Sequence, residues 1–166
     1  PNKQFSFFRM RPSNFPTVRI AQLVSLFCKH KNLFSKLIAL QDLKDFYALF
    51  SVEIPLFWKT HYNFESKSKS SSKKLTKSFV DLLIINTIIP LKFLYQKSSQ
   101  GVDEEFFLEI LKKMKPEKNS IISKFSDFGV AAKNALDTQA LLELKNNYCA
   151  PKRCLECAIG SSILKW

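Results

Sequence analysis

The chain has 166 residues, 46% hydrophobic and 24% charged, and 26 Lys and Arg against 14 Asp and Glu give a formal charge of +12. Its length suits one domain with a sizeable core, and its hydrophobic share excludes an intrinsically disordered chain. Glycine is rare, at 3 residues, while phenylalanine reaches 16, which leaves little material for tight turns and argues against a sandwich or barrel.

The first element spans residues 13–30. Ser13, Asn14 and Pro16 form a helix-start signal, and Ile20, Leu23, Val24 and Phe27 repeat at i, i+3, i+4 and i+7 as one apolar stripe. That stripe reads as the core face, with Cys28 on or near it. A short helix over Leu33–Leu40 follows. A third begins at Asp42 and repeats the stripe through Leu43, Phe46, Tyr47 and Phe50, and Pro55 closes this region.

Residues 58–64, W-K-T-H-Y-N-F, form an aromatic connection. Residues 66–74, a run of Ser and Lys, are low in complexity and read as a solvated basic loop, or else as a phosphate clamp. Phe79–Ile89 is apolar nearly all round and reads as the central helix of a bundle. Pro90 clashes with the carbonyl of Asn86, so a kink is expected there, with Asp81 and Asn86 as buried polar residues. The longest apolar stretch, Phe79 to Tyr95, is interrupted by Asp81, Asn86, Pro90 and Lys92. It reads as a buried helix, so no membrane partner is expected.

Gly101 and Asp103 open the next helix, with Phe106, Phe107, Ile110, Leu111 and Met114 as its core face and Pro116 as its end. Ile121, Ile122, Phe125 and Phe128 suggest another turn or two. Asp137 or Thr138 caps a helix through Tyr148. A last short helix runs from about Arg153 to Ile163. The fold class is therefore all-α: an irregular helical bundle with a kinked central helix and a short Cys-rich carboxyl-terminal segment, in one domain over residues 1–166.

Cys149, Cys154 and Cys157 carry the sharpest local signal, a C-x4-C-x2-C spacing that gathers three thiols. Thiolates suit zinc, or an iron–sulfur centre less well, since the plant-type pattern needs a fourth cysteine further on. A fourth zinc ligand would be Cys28, a histidine or water, with His61 first among the histidines. Lys152 and Arg153 would favour the thiolates. The same three residues also suit inert packing, as small hydrophobes, or redox chemistry. His61, between Trp58 and Tyr62, has no carboxylate close in sequence to make it a base. A ring packed between aromatics is the other reading.

The basic balance favours anionic partners, nucleic acid first. Arg11 and Arg19, with Arg9, Lys3 and Lys29, could form one end of a phosphate-binding face, and Lys152 and Arg153 a second. Arg11 or Arg19 could equally tie the amino-terminal loop to helix ends. No phosphate loop, dinucleotide fingerprint, zinc-protease motif or nucleophile elbow is present, and no complete catalytic site is visible. The clustered cysteines and the mixed, non-secretory start point to a reducing, cytoplasmic compartment. A chain starting at Pro1 is expected to be a fragment or a processed product.

Three segments carry a family resemblance: residues 11–23 (R-P-S-N-F-P-T-V-R-I-A-Q-L), residues 58–64, and residues 148–160 (Y-C-A-P-K-R-C-L-E-C-A-I-G), with residues 81–90 and 116–119 between them. In that order they resemble the carboxyl-terminal half of a bacterial family known as domain of unknown function 2851. The resemblance implies a helical accessory domain in a larger protein whose amino-terminal half is β-rich and carries acidic and histidine motifs. It marks Arg11, Asn14, Arg19, Gln22, Trp58, His61, Tyr62, Asp81, Asn86, Glu117, Asn119 and the three clustered cysteines, and assigns them no roles. Two functions follow as expectations: a nucleic-acid-binding or nucleic-acid-processing accessory domain, or an interaction domain that packs on its own amino-terminal half or another protein.

Overall fold

The computed structural model describes residues 5–99 and 101–164. Lys3 lies outside them. The fold is all-α, and the one extended pairing among the described residues is an isolated antiparallel bridge between His61 and Lys67. Contacts divide the chain into two compact units, Pro1–Gly101 and Val102–Trp166.

In the first unit, helix α1 spans Pro16–Lys29. Pro16 sits in its first turn, where a missing N–H costs nothing because that donor has no intrahelical partner. Helix α2 is Leu33–Ala39 and α3 is Leu43–Phe50. The Asp42 carboxylate caps α3 by accepting from the Lys44 N–H at 3.0 Å. A single turn, α4, covers Leu56–Lys59. The core joins Val18 and Leu26 of α1 to Leu43, Phe46, Leu49 and Phe50 of α3, to Val52 and Ile54, and to the next helix.

That helix, α5, runs from Lys77 to Ser99 and is interrupted by a π-turn at Ile84–Ile88, directly before Pro90. The expected kink is there, and its form is specific. Inside the π-turn the Ile89 N–H reaches the Ile84 carbonyl, five residues back. The wider turn makes room for a proline that has no N–H and crowds the fourth carbonyl before it. The Asn86 side chain donates to the Leu82 carbonyl at 3.0 Å, and it is exposed where the sequence suggests burial. Asp81 is half-buried and accepts from the Tyr47 hydroxyl at 2.6 Å.

α5 is not buried all round. Val80, Ile84, Ile88 and Lys92, at every fourth position, face the core, while Leu82, Leu91, Phe93, Leu94 and Tyr95 are exposed. By length and composition it could cross a membrane, with a mean hydropathy of 1.5 in its most apolar window, and only 28% of that window is buried, unlike a helix enclosed in a core. Lys92 is 1% exposed, and its ammonium donates to the Leu40 carbonyl just past α2.

In the second unit, α6 spans Glu104–Lys113, capped by Asp103, which accepts from the Phe106 N–H at 3.0 Å. Helix α7 is Ser120–Asp127, capped by Asn119. Helix α8 is Ala135–Glu143 and continues as a π-turn, Leu144–Cys149. Its cap is Asn134, not Asp137 or Thr138: the Asp137 N–H donates to Asn134 Oδ1 at 2.9 Å, and Asp137 Oδ2 accepts from the Lys133 N–H at 2.8 Å. The arrangement resembles a capping box, except that the Asp137 carboxylate reaches back to the N–H of Lys133, one residue before the cap. Thr138 is fully buried instead. A 3-10 turn at Cys154–Glu156 leads to α9, Ala158–Leu164. Phe107, Ile110, Met114, Ile122 and Ala135 fill this unit's core.

Candidate functional site

Helix α1 is turned around relative to its periodicity. Its four-residue apolar stripe faces outward: Ile20 is 46% exposed, Leu23 51%, Val24 53% and Phe27 58%. The residues it buries are Thr17, Val18, Ala21, Gln22 and Leu26. Cys28, expected in the core, is exposed. A helix normally hides its apolar stripe, so four aligned aliphatic and aromatic side chains in solvent mark a surface made for contact. The stripe continues into a cleft of about 230 Å³ lined by Ile20, Val24, Phe5, Pro55, Trp58 and Phe64. Leu56 and Phe57 of α4 are exposed as well.

A polar network explains why α1 lies this way. The Arg19 guanidinium stacks over the Phe79 ring at 3.4 Å, and donates to Gln22 Oε1 at 2.9 Å and to Asn14 Oδ1 at 2.6 Å. Partial burial lowers the Arg19 pKa from its ordinary value, since desolvation disfavours the charge. Gln22 is 4% exposed and donates through Nε2 to the Lys73 carbonyl at 2.6 Å. These bonds can be satisfied only with the Gln22 side of α1 turned inward, which turns Ile20, Leu23, Val24 and Phe27 out. Arg19 is thus engaged within the fold. Arg11 stands exposed beside the turn Pro12–Asn14.

The Ser/Lys run is not a free loop. The Ser68 N–H donates to the Thr60 carbonyl at 2.7 Å and the Ser71 N–H to the Lys59 carbonyl at 2.9 Å, so residues 66–71 are laid along 59–61. Lys73 is 4% exposed, with its ammonium 3.8 Å from the Tyr62 ring centroid and bonded to Ser71 Oγ. Hydrogen bonding to Ser71 and the charge of Lys73 lower the Tyr62 pKa from its ordinary value.

His61 stacks on Phe57, with ring centroids 4.0 Å apart and planes 6° from parallel, and its Nδ1 lies 2.9 Å from the Phe57 carbonyl. The Thr60 hydroxyl lies 3.1 Å from the same nitrogen, so Nδ1 is engaged within the local turn.

The cysteines do not gather. Among the described residues no group of three or more His, Cys, Asp and Glu side chains is placed to hold a metal ion. All four cysteines are free thiols, exposed except for half-buried Cys157. The reason is local. Cys149 closes the π-turn and lines an apolar cavity with Ile121 and Phe125 of α7 and Phe128 just past its end. The chain then turns through Pro151 and Lys152, whose φ is +61°, before Cys154 opens the 3-10 turn. Cys154 is committed elsewhere: its backbone lies directly against Gly160 of α9. The four residues between Cys149 and Cys154 form this reversal without bringing the thiols together. Among the described residues no ligand set for zinc or an iron–sulfur centre is assembled. Lys152 is exposed, and Arg153 pairs with Glu156 through Nε at 2.9 Å.

Several marked residues are structural joints. Asn119 caps α7 by accepting from the Ile121 and Ile122 N–H groups, and donates to Glu117 at 3.1 Å. The outward face of α1 is what sequence reasoning missed. The available signal was the set Asn14, Arg19 and Gln22, whose polar groups need partners on the side away from the stripe.

A family described as a protein of unknown function, DUF2851, matches residues 1–120. That match takes in the whole first unit, and the cysteine segment lies beyond it. No curated protein and no solved structure matches the chain.

Proposed function

The chain belongs to the DUF2851 family of proteins of unknown function, and on that premise we propose that it is an interaction domain that docks through the outward face of α1. The carrying observation is the inverted stripe of Ile20, Leu23, Val24 and Phe27, continued by the cleft against Trp58 and Phe64. The occupant we assign is the β-rich amino-terminal half that the family resemblance implies, with this chain as the helical carboxyl-terminal half. A sheet has one apolar face to cover, and a helix with an exposed apolar stripe covers it. Half-exposed apolar side chains sealed this way contribute about 25 cal/mol per Å² removed from water.

The test supplies the amino-terminal half of a longer family member in trans and measures association by titration calorimetry. A complex with a negative heat-capacity change, abolished by Val24→Asp, is the expected result. Absence of a complex, or a complex indifferent to Val24→Asp, overturns the proposal. A homodimer that Val24→Asp dissolves reassigns the face to self-association.

A further inference from the structure

A second surface of the first unit carries a different chemistry. A groove of about 570 Å³ is lined by Glu53, Ile54, Lys59, the hydroxyl-bearing Ser70, Ser71 and Ser72, Lys73 and Lys74. Lys74 forms an ion pair with Glu53. The hydrogen bond from Lys74, followed by the charges of Lys74, Lys59 and Lys29, holds the Glu53 carboxyl below the usual carboxylate range. Lys29 approaches from the end of α1, where its ammonium donates to the Ser51 carbonyl at 2.7 Å. Three ammonium groups, Lys29, Lys59 and Lys74, therefore act on one carboxylate, and the excess of positive charge is fixed in place. It is fixed because the Ser/Lys backbone is bonded to residues 59–60 and to Gln22, so no ordering of a loose loop is needed on binding.

We infer that this groove binds the phosphodiester backbone of a nucleic-acid strand, through Lys59 and Lys74 as charges and Ser70–Ser72 as hydroxyl donors. Phosphate oxygens accept from ammonium and hydroxyl groups alike, and such contacts position a strand without reading its sequence. No aromatic ring lines the groove, so bases are not stacked and binding is indifferent to sequence. This inference is independent of the docking face on α1, and either can fail alone.

Fluorescence anisotropy of the whole chain with a labelled single-stranded oligonucleotide tests it, against a duplex and against inorganic polyphosphate. Lys59→Glu/Lys74→Glu is expected to weaken oligonucleotide binding by about tenfold or more, and to flatten the dependence on log salt by about 1 to 2, the share of one or two phosphate contacts. The control pair Lys115→Glu/Lys118→Glu removes the same charge outside the groove and is expected to change binding less than about threefold. Glu53→Gln removes the one carboxylate and is expected to tighten binding, a gain that a folding defect cannot imitate. Equal losses in the two double variants, no gain in Glu53→Gln, or failure of both oligonucleotides to bind overturns the inference. Binding to polyphosphate alone does so too, and assigns the groove to another polyanion.

Discussion

Gln22 and Lys73 stand 51 positions apart, and the Gln22 amide donates to the Lys73 backbone carbonyl at 2.6 Å in a buried setting. This one bond ties the inward side of α1 to the Ser/Lys segment, and so links the two candidate surfaces. Gln22→Leu keeps the bulk and removes both the donor to the Lys73 carbonyl and the acceptor of Arg19, stranding a buried carbonyl and one N–H of the Arg19 guanidinium. The expected cost is about 1–3 kcal/mol, read as a lower denaturant midpoint at unchanged slope. Faster amide exchange at Ser68 and Ser71 should accompany it, and unchanged exchange there would show that the bond does not hold the segment down.

The two sides of α1 should respond oppositely to substitution. Val24→Asp is expected to change stability by no more than about 0.5 kcal/mol, because the site is already in water. Leu26→Ala, on the side that is 5% exposed, should cost about 2–5 kcal/mol. Urea denaturation of both variants checks this, and comparable losses would mean that the outward stripe is packed in solution.

Tyr47 gives a pH signature. Burial first, then the hydrogen bond to Asp81 and its negative charge, raise the phenol well above its ordinary 10.0. The folded chain therefore holds this proton more tightly than the unfolded chain. The resulting stabilisation is complete below the unfolded pKa and is lost as pH rises past it. Thermal melts between about pH 8 and about pH 11 should fall less steeply for Tyr47→Phe than for the parent chain. Parallel curves would dismiss the Tyr47–Asp81 pair as the source.

Gly160 is required by proximity. A Cβ there would lie 2.3 Å from the Cys154 carbonyl oxygen, a backbone atom that cannot rotate away. Gly160→Ala should force α9 off the 3-10 turn at a cost of about 1–3 kcal/mol. Limited proteolysis should then cut between residues 154 and 164 in the variant before it cuts the parent chain. Equal cleavage would argue that the turn yields without loss.

Much of the fold was legible because its signals are local. Asp42 and Asp103 cap the helices they were expected to start, and Pro90 marks the irregularity in α5. What was not legible depends on partners distant in sequence. Periodicity shows that α1 has two sides but not which one turns inward, and the answer came from Gln22 finding the Lys73 carbonyl. The loop reading of residues 66–74 rested on composition, whereas the bonds that hold the segment come from its backbone, which composition does not describe. Cysteine spacing shows that three thiols are near in sequence but not where the chain points them, and the reversal at Lys152 and the packing of Cys154 on Gly160 keep them from meeting.

The burial of Lys73 has a consequence for length. Residues 66–74 draw on only two side-chain types, Ser and Lys, so many alignments of the segment on residues 59–61 would look alike. One anchor decides among them. With the Lys73 ammonium over Tyr62 and its carbonyl on Gln22, a shift by one residue would put Ser72 or Lys74 at the buried spot. Ser72 is too short to reach the ring, and Lys74 would leave Glu53 behind. Insertions and deletions should therefore be tolerated before Ser68, at the exposed tip, and rejected between Ser71 and Lys74, where a single residue gained or lost would unseat every contact at once.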